Sequence, residues 1–95
     1  MYKVELSFDA GGLGKETLER LYSKTDEIFA AEDLSCVDKQ PVRVYIDKGR
    51  KQDYGRFWAA IFALKESAEI TMHLKECTWY NGTEKENLIS EFLRN

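Results

Sequence analysis

Residues 56–80, RFWAAIFALKESAEITMHLKECTWY, contain the longest apolar run of the chain and both of its tryptophans. The run covers residues 57–64, and a short polar break follows it. Beyond the break, apolar and polar residues alternate with the period of a strand, at Ile70, Met72 and Leu74. We therefore predict a β-hairpin at the centre of the fold, with strands at residues 56–64 and 69–79.

The same run could form a buried helix, because periodicity does not decide the structure of eight consecutive apolar residues. Its three alanines favour a helix, whereas its aromatic and β-branched residues favour a strand. The alternating segment at hairpin distance tips the prediction to a strand. In that register one face carries the predicted core residues, Trp58, Phe62, Leu64, Ile70, Met72 and Leu74.

The N-terminal part of the chain shows the two-residue period of a strand and then the period of a helix. Residues 2–8 alternate strictly between apolar and polar side chains, which predicts a strand with one buried face. Residues 15–32 carry apolar side chains every three or four positions, which predicts an amphipathic helix. Residues 33–41 are predicted to be a linker, since Pro41 cannot continue a helix.

Two more elements complete the predicted fold. Asn81-Gly82 ends the last hairpin strand, and Thr83 with Glu86 fits the capping box of a final helix. Residues 42–47 alternate again and predict a strand with these side chains inward: Val42, Val44 and Ile46. The order β-α-β-β-β-α, in which both helices must bury an apolar stripe, predicts an α+β fold. The predicted fold is a two-layer sandwich, in which a mostly antiparallel sheet carries two helices on one face.

Size and composition restrict the function classes. The 95 residues, 43% of them hydrophobic, support one core and predict a single domain, residues 1–95. The net charge of −3 argues against a broad nucleic-acid-binding surface, which is usually basic. No apolar stretch approaches the roughly 20 residues that span a bilayer, and no apolar signal region follows the start. We expect a soluble, cytoplasmic protein without a membrane partner, in which Cys36 and Cys77 are free thiols.

The second face of the predicted hairpin is the first candidate binding surface. It would expose an apolar stripe containing Phe57 and Ile61, flanked by Tyr45 and His73. Contiguous exposed apolar patches usually mark partner surfaces, so we predict that a protein partner or a second copy of the chain binds here. In the alternative interpretation, neighbouring side chains or a helix cover the stripe.

Charge is segregated along the sequence. Residues 39–56 hold six basic side chains and two acidic ones, whereas the remaining chain has a net charge of −7. The basic loop consists of Lys48, Arg50, Lys51 and Arg56. The first helix is acidic, and its candidate partner contacts are Glu19, Asp26 and Glu27. Such segregation can steer charged partners, although a solvated helix face and a soluble loop would show the same pattern.

The residues that could carry chemistry lack the spacing that catalysis or metal binding requires. The glycine-rich stretch at residues 10–17 has the setting of a phosphate-binding loop, but Glu16 stands where a magnesium-binding hydroxyl is needed. His73 is the only histidine, and no nucleophile is spaced to work with it. With Cys36 and Cys77 it supplies fewer ligands than a structural zinc site uses. We predict no catalytic residue, no metal site and no cofactor.

The sequence therefore favours a small non-enzymatic protein-interaction module. Examples are an acidic inhibitor, an immunity-type protein or a regulatory protein that binds its partner through the sheet face and the acidic helix. The alternative is a nucleic-acid-binding domain, in which the basic loop binds phosphates and Tyr54 and Phe57 stack on bases. A small enzyme centred on His73 is the third hypothesis.

Overall fold

The computed structural model describes residues 1–38 and 42–93. This part of the chain folds into a five-stranded antiparallel sheet with helices packed on one face, so the predicted α+β class is confirmed. The elements in chain order are β1 (Tyr2–Phe8), α1 (Lys15–Ala31), β2 (Ser35–Asp38), β3 (Arg43–Ile46), α2 (Asp53–Glu66), α3 (Ala68–His73), β4 (Leu74–Asn81) and β5 (Glu84–Asn87), followed by a π-helical segment at Ile89–Leu93.

Strand β1 lies at the centre of the sheet, whose spatial order is β2-β3-β1-β4-β5. Val4 of β1 lies opposite Tyr45 of β3 and Trp79 of β4, so these three side chains share the face that the helices cover. Glu5 lies opposite Val44 and Thr78 on the outer face. The strand predicted for residues 2–8 is confirmed, because Val4, Leu6 and Phe8 are buried on the inward face and Tyr2 is half-buried there.

Strand β3 faces the opposite way from the prediction. Tyr45 is fully buried, whereas Val44 and Ile46 are half-buried on the outer face. The prediction placed the aliphatic residues inward and so left Tyr45, with its polar hydroxyl, on the outer face. That hydroxyl finds hydrogen-bond partners on α1, and a buried polar group with partners has little desolvation cost left.

The predicted central hairpin is wrong, because residues 53–66 form α2 and residues 68–73 form α3. The strand begins only at Leu74. The buried apolar residues of α2 are spaced by three and four positions, at Phe57, Ala60, Ile61 and Leu64. That is the spacing of one helical face. Trp58 and Phe62 on the other face fill the gaps in the pattern and make the run look continuous.

The helical geometry also redistributes the predicted hairpin core. Leu64, Ile70 and Leu74 are buried as predicted, and Trp58 is half-buried. Phe62 and Met72 are instead 52% and 68% exposed. A strand would have placed these apolar residues on one face, whereas a helix rotates each successive residue by about 100°.

The polar break in the apolar run separates two helices instead of forming a hairpin turn. Ser67 has an extended backbone, with φ −96° and ψ 103°, and its hydroxyl accepts the N–H of Ile70 at 3.3 Å. Serine is a favoured residue at this N-cap position because it satisfies a backbone donor that has no partner within the helix. The short α3 therefore starts immediately after α2.

The predicted C-terminal helix and its capping box at Thr83 and Glu86 are wrong at residues 84–87. These residues form β5, which pairs with β4 in a hairpin. Gly82 in the turn has a φ of 63°, a left-handed conformation that glycine adopts without steric cost. The apolar stripe expected of that helix is still buried in part, at Leu88 and Leu93.

Part of the predicted linker at residues 33–41 is the edge strand β2. Within the described residues, β2 pairs only with β3. Because β2 has only four residues, its alternating pattern is weak. Asp33, with a φ of 56°, lies between α1 and this strand. Lys39 and Pro41 lie outside the described residues.

We expect Ile61→Ala to lower the free energy of unfolding by about 3 kcal/mol, because it removes a fully buried side chain. The neighbouring substitution Phe62→Ala should cost about 1 kcal/mol, since that side chain is half exposed. Urea denaturation followed by circular dichroism measures both changes. An equal cost for the two variants, or a larger cost for Phe62→Ala, would contradict the orientation of α2.

Candidate functional site

The predicted partner-binding stripe lies in the hydrophobic core. Phe57, Ile61 and Tyr45 are each 0% exposed. The ring of Phe29 on α1 stacks on Tyr45 with the centroids 4.0 Å apart, and it meets Phe57 edge to face at 6.2 Å. The prediction that these residues form an exposed surface is therefore wrong. They join the helices to the sheet.

The hydroxyl of Tyr45 ties a predicted surface acid into this packing. It donates a hydrogen bond of 2.6 Å to Oδ1 of Asp26 and lies 2.9 Å from Oγ1 of Thr25. Burial, followed by the bond with Asp26, raises the pKa of Tyr45 well above its ordinary value. Nε of Arg43 lies 3.4 Å from the same carboxylate oxygen. Asp26 is therefore held by internal contacts.

The remaining predicted contacts do not form one surface with these residues. Glu19 and Glu27 are exposed on α1. His73 ends α3 and is half-buried, and its backbone oxygen accepts the N–H of Asp9 at 3.0 Å. The expectation that His73 lies on a strand is wrong, since it belongs to the short helix α3.

Two residues of the predicted basic loop form ion pairs with Asp33, at the end of α1. Nζ of Lys48 lies 2.8 Å from one carboxylate oxygen, and Nη1 of Arg50 lies 2.6 Å from the other. The hydrogen bonds from Lys48 and then Arg50 lower the pKa of Asp33 to about 2. The loop before α2 is thereby fastened to the loop after α1.

A second aspartate, Asp53, organises the same loop from inside. It is buried at the first position of α2, and its Oδ2 accepts the backbone N–H groups of Lys48 and Arg50 at 2.7 and 3.1 Å. Nε of Arg50 donates to Oδ1 at 2.8 Å. Burial alone would raise the pKa of Asp53, but the two backbone bonds and the guanidinium outweigh it and hold the pKa below its ordinary value.

The other two basic residues point to no common site. Lys51 is exposed, whereas Arg56 is half-buried on α2 and its Nη1 donates to the backbone oxygen of Glu32 at 3.2 Å. The four residues therefore do not form one free basic patch, because Lys48 and Arg50 are ion-paired.

An aromatic surface replaces the predicted stripe. It consists of Tyr54, Trp58 and Phe62, four positions apart on α2, together with Phe92. Tyr54 and Phe62 are 46% and 52% exposed. The ring of Phe92 meets those of Trp58 and Phe62 edge to face, with centroid distances of 5.9 and 5.2 Å. Such geometry is the favourable one for aromatic pairs.

A cleft of about 80 Å³ lies between the aromatic surface and the β4–β5 hairpin, and we call it the tryptophan cleft. Its floor is Trp79, whose ring centroid lies 6.1 Å from that of Tyr54 and 5.6 Å from that of Trp58. Nε1 of Trp58 is buried without a hydrogen-bond acceptor in the described part of the chain. The lining residues are Tyr54, Trp58, Trp79, Asn81, Glu84, Lys85 and Glu86.

Sequence reasoning missed the aromatic surface, although its signal is present. Tyr54, Trp58 and Phe62 recur every four residues, which places them on one helical face. The signal is useful only after the run has been assigned to a helix. The sequence did not indicate that Glu84 and Glu86 line the tryptophan cleft, because the capping box assigned both residues to a helix.

The glycine-rich stretch and the cysteines are the remaining candidate sites from the sequence. The N–H of Gly11 donates to Oδ1 of Asp9 at 3.1 Å, so a carboxylate of the protein already lies at this turn. Cys36 and Cys77 are free thiols, as predicted. Burial raises the pKa of Cys77 to about 12, which keeps it protonated at neutral pH.

Residues 1–38 and 42–93 contain no group of three histidine, cysteine, aspartate or glutamate side chains that could hold a metal ion. Within the same residues, no helix has the length and apolar character needed to cross a membrane. Comparisons with protein-family models, with curated proteins and with solved structures found no match to this chain.

We expect acid to remove the stabilisation that Asp33 provides. Its folded-state pKa of about 2 lies below the ordinary 3.8, so the stabilisation is complete above about pH 4 and is lost as the pH falls toward 2. Asp33→Asn keeps a residue that tolerates the φ of 56° but cannot carry the charge. The variant should unfold at lower urea concentration than the wild type at pH 7, and the gap should narrow between pH 4 and pH 2.

The exposed variant Glu19→Gln is the matched control, since it also removes one negative charge, from a side chain beyond the first turn of α1. Its stability should follow that of the wild type through the same pH range. A gap between Asp33→Asn and the wild type that does not change with pH would contradict the assignment of the ion pairs.

Proposed function

We propose that this protein is a small non-enzymatic protein-interaction module that binds a protein partner through the aromatic surface of α2. The observation that carries the proposal is the exposure of Phe62 and Tyr54 beside Trp58 and Phe92. Exposed apolar patches on small domains usually mark binding surfaces. Tryptophan and tyrosine are also enriched among the residues that dominate binding energy at protein interfaces.

The internal contacts of the surface support the proposal. Lys65 holds Phe92 in place, because its Nζ donates to the backbone oxygen of Phe92 and lies 4.5 Å from the centre of the ring. Trp58 and Phe62 pack on that ring and on each other, with centroids 6.4 Å apart. Side chains that are ordered before binding lose less conformational entropy when a partner arrives.

The proposal keeps the predicted function class and changes the surface. An acidic inhibitor, an immunity-type protein or a regulatory protein remains the proposed role, in keeping with the net charge of −3. The contact surface moves from the sheet and α1 to α2. The partner can be another protein or a second copy of the chain.

The alternative, a nucleic-acid-binding domain, has less support. A phosphate that approached Lys48 or Arg50 would compete with the carboxylates of Asp33 and Asp53, which already bind them at short distances. Phe57, one of the two predicted stacking groups, is buried. Lys51 and Tyr54 remain exposed in this region.

We expect Phe62→Ser to weaken partner binding strongly, because it replaces the most exposed ring of the aromatic surface by a small polar group. Affinity-tagged wild type, Phe62→Ser and Met72→Ser are compared in pull-downs from the native host, with quantitative mass spectrometry. Sedimentation equilibrium of the same three proteins detects self-association. Loss of one central aromatic side chain typically weakens an interface by at least about tenfold.

Met72→Ser is the matched control, since Met72 is 68% exposed and lies on α3, outside the aromatic surface. It should keep the partner, or the dimer, that Phe62→Ser loses. Capture of the same proteins in the same amounts by all three would refute the proposal. So would a wild type that is monomeric and enriches no protein.

A separate measurement checks the alternative function. We expect the wild type to bind single-stranded and double-stranded oligonucleotides no better than about 0.1 mM at physiological salt, in the range of non-specific binding. The triple variant Lys48→Ala/Arg50→Ala/Lys51→Ala should change this little, while Arg50→Ala alone lowers stability through Asp33 and Asp53. Tight, salt-dependent binding that the triple variant loses would instead establish the nucleic-acid-binding function.

A further inference from the structure

We propose that the tryptophan cleft holds a lysine or arginine side chain of the protein partner. The inference rests on the proposed function, because the cleft adjoins the aromatic surface and shares Tyr54 and Trp58 with it. It adds the chemical class of the partner: a segment that carries a basic residue next to the apolar contact.

The aromatic walls of the cleft suit a cation. The plane of the Trp79 ring is inclined by 66° to that of Tyr54 and by 61° to that of Trp58. These rings touch edge to face, and Trp79 is 3% exposed and also stacked on Tyr2. The aromatic surface that a cation can reach is therefore that of Tyr54, which is 46% exposed, and of the half-buried Trp58. Lysine and arginine side chains are attracted to aromatic faces, most strongly to tryptophan, when they lie within about 6 Å of a ring.

The acidic wall has the complementary charge. In the β4–β5 hairpin, Glu86 lies opposite Trp79 and Glu84 lies opposite Asn81, so both carboxylates project on the same side of the sheet as Trp79. Both are exposed, and neither has a salt bridge within the described residues. Lys85 lies opposite Tyr80, so its side chain alternates to the other side.

Several acids of the described chain are already neutralised by ion pairs, whereas Glu84 and Glu86 are not. Asp33 and Asp53 bind Arg50, and Glu69 of α3 binds Arg20 and Lys24 at 2.6 and 3.0 Å. Glu84 and Glu86 instead stand beside the aromatic residues with no cation of the described chain bound to them. A basic residue of a partner would supply that charge.

The cleft is large enough for the head of a basic side chain. A volume of about 80 Å³ holds more than one water molecule. The ammonium head of lysine or the guanidinium of arginine fits such a space. An acidic side chain would be repelled by the two glutamates.

The test uses the only two tryptophans of the protein, which both line the cleft. Their indole N–H signals are followed by nuclear magnetic resonance during titration with the peptide acetyl-Gly-Gly-Lys-Gly-Gly-amide. Peptides with arginine or with uncharged norleucine in place of lysine are titrated in parallel. We expect the two basic peptides to bind at least about tenfold more tightly than the norleucine peptide.

The variant Glu84→Gln/Glu86→Gln should weaken binding of the lysine peptide by about tenfold. Its matched control is Glu16→Gln/Glu76→Gln, which changes the net charge equally at exposed positions outside the cleft and should bind as the wild type does. Equal binding of the lysine and norleucine peptides would overturn the inference. So would an equal loss in both double variants, since that would be an effect of net charge alone.

Two further measurements separate the possible sources of the cation and the two proposals. If tetramethylammonium chloride shifts the indole signals at lower concentration than the lysine peptide, the cleft is a site for a free cation and the assignment to a protein segment is overturned. Phe62→Ser should still bind the lysine peptide, because Phe62 does not line the cleft. The experiments therefore show separately whether the proposal for the aromatic surface or the proposal for the cleft is wrong.

Discussion

Helix α2 has apolar residues on both faces, and only one face can be buried against the sheet. Phe57 occupies the inner face, where its ring meets those of Phe29 at 6.2 Å and Trp79 at 5.3 Å. Large aromatic side chains bury more surface than other residues and contribute strongly to core packing. Because the inner face is fixed in this way, Trp58 and Phe62 are turned outward. The core packing of the fold therefore determines its exposed aromatic surface.

The charge of Asp53 fixes the residue at which α2 begins. The start of the helix in turn determines which of its side chains face the sheet. Asp53 is buried and ionised at the first helical position, where the helix dipole favours a negative charge. Its bonds to the backbone of Lys48 and Arg50 set the loop that enters the helix. Basic residues that suggested a ligand-binding loop in the sequence are thus used to hold the helix in place.

The sequence predicts the local elements well where one face is apolar and the other polar. β1 and α1 have this pattern, and both lie where it predicts them. The pattern fails in α2, because residues 57–64 are apolar on both faces and carry no period. It also fails for β5, since Glu84–Asn87 contains no apolar residue, and the pairing of such a strand depends on its neighbour β4. The aromatic surface was not predicted for the same reason as α2, because a run that is apolar on both faces does not show which residues are exposed.

The predicted C-terminal helix also concealed the acidic wall of the cleft. In a helix, Glu84 and Glu86 would point in directions about 200° apart, because each residue rotates by about 100°. In a strand, residues two positions apart share a face, so the two carboxylates come to lie together beside Trp79. The cleft thus exists only because β5 is a strand and α2 is a helix. It is a tertiary feature, formed by residues 54–58 and 79–86, that no local sequence pattern contains.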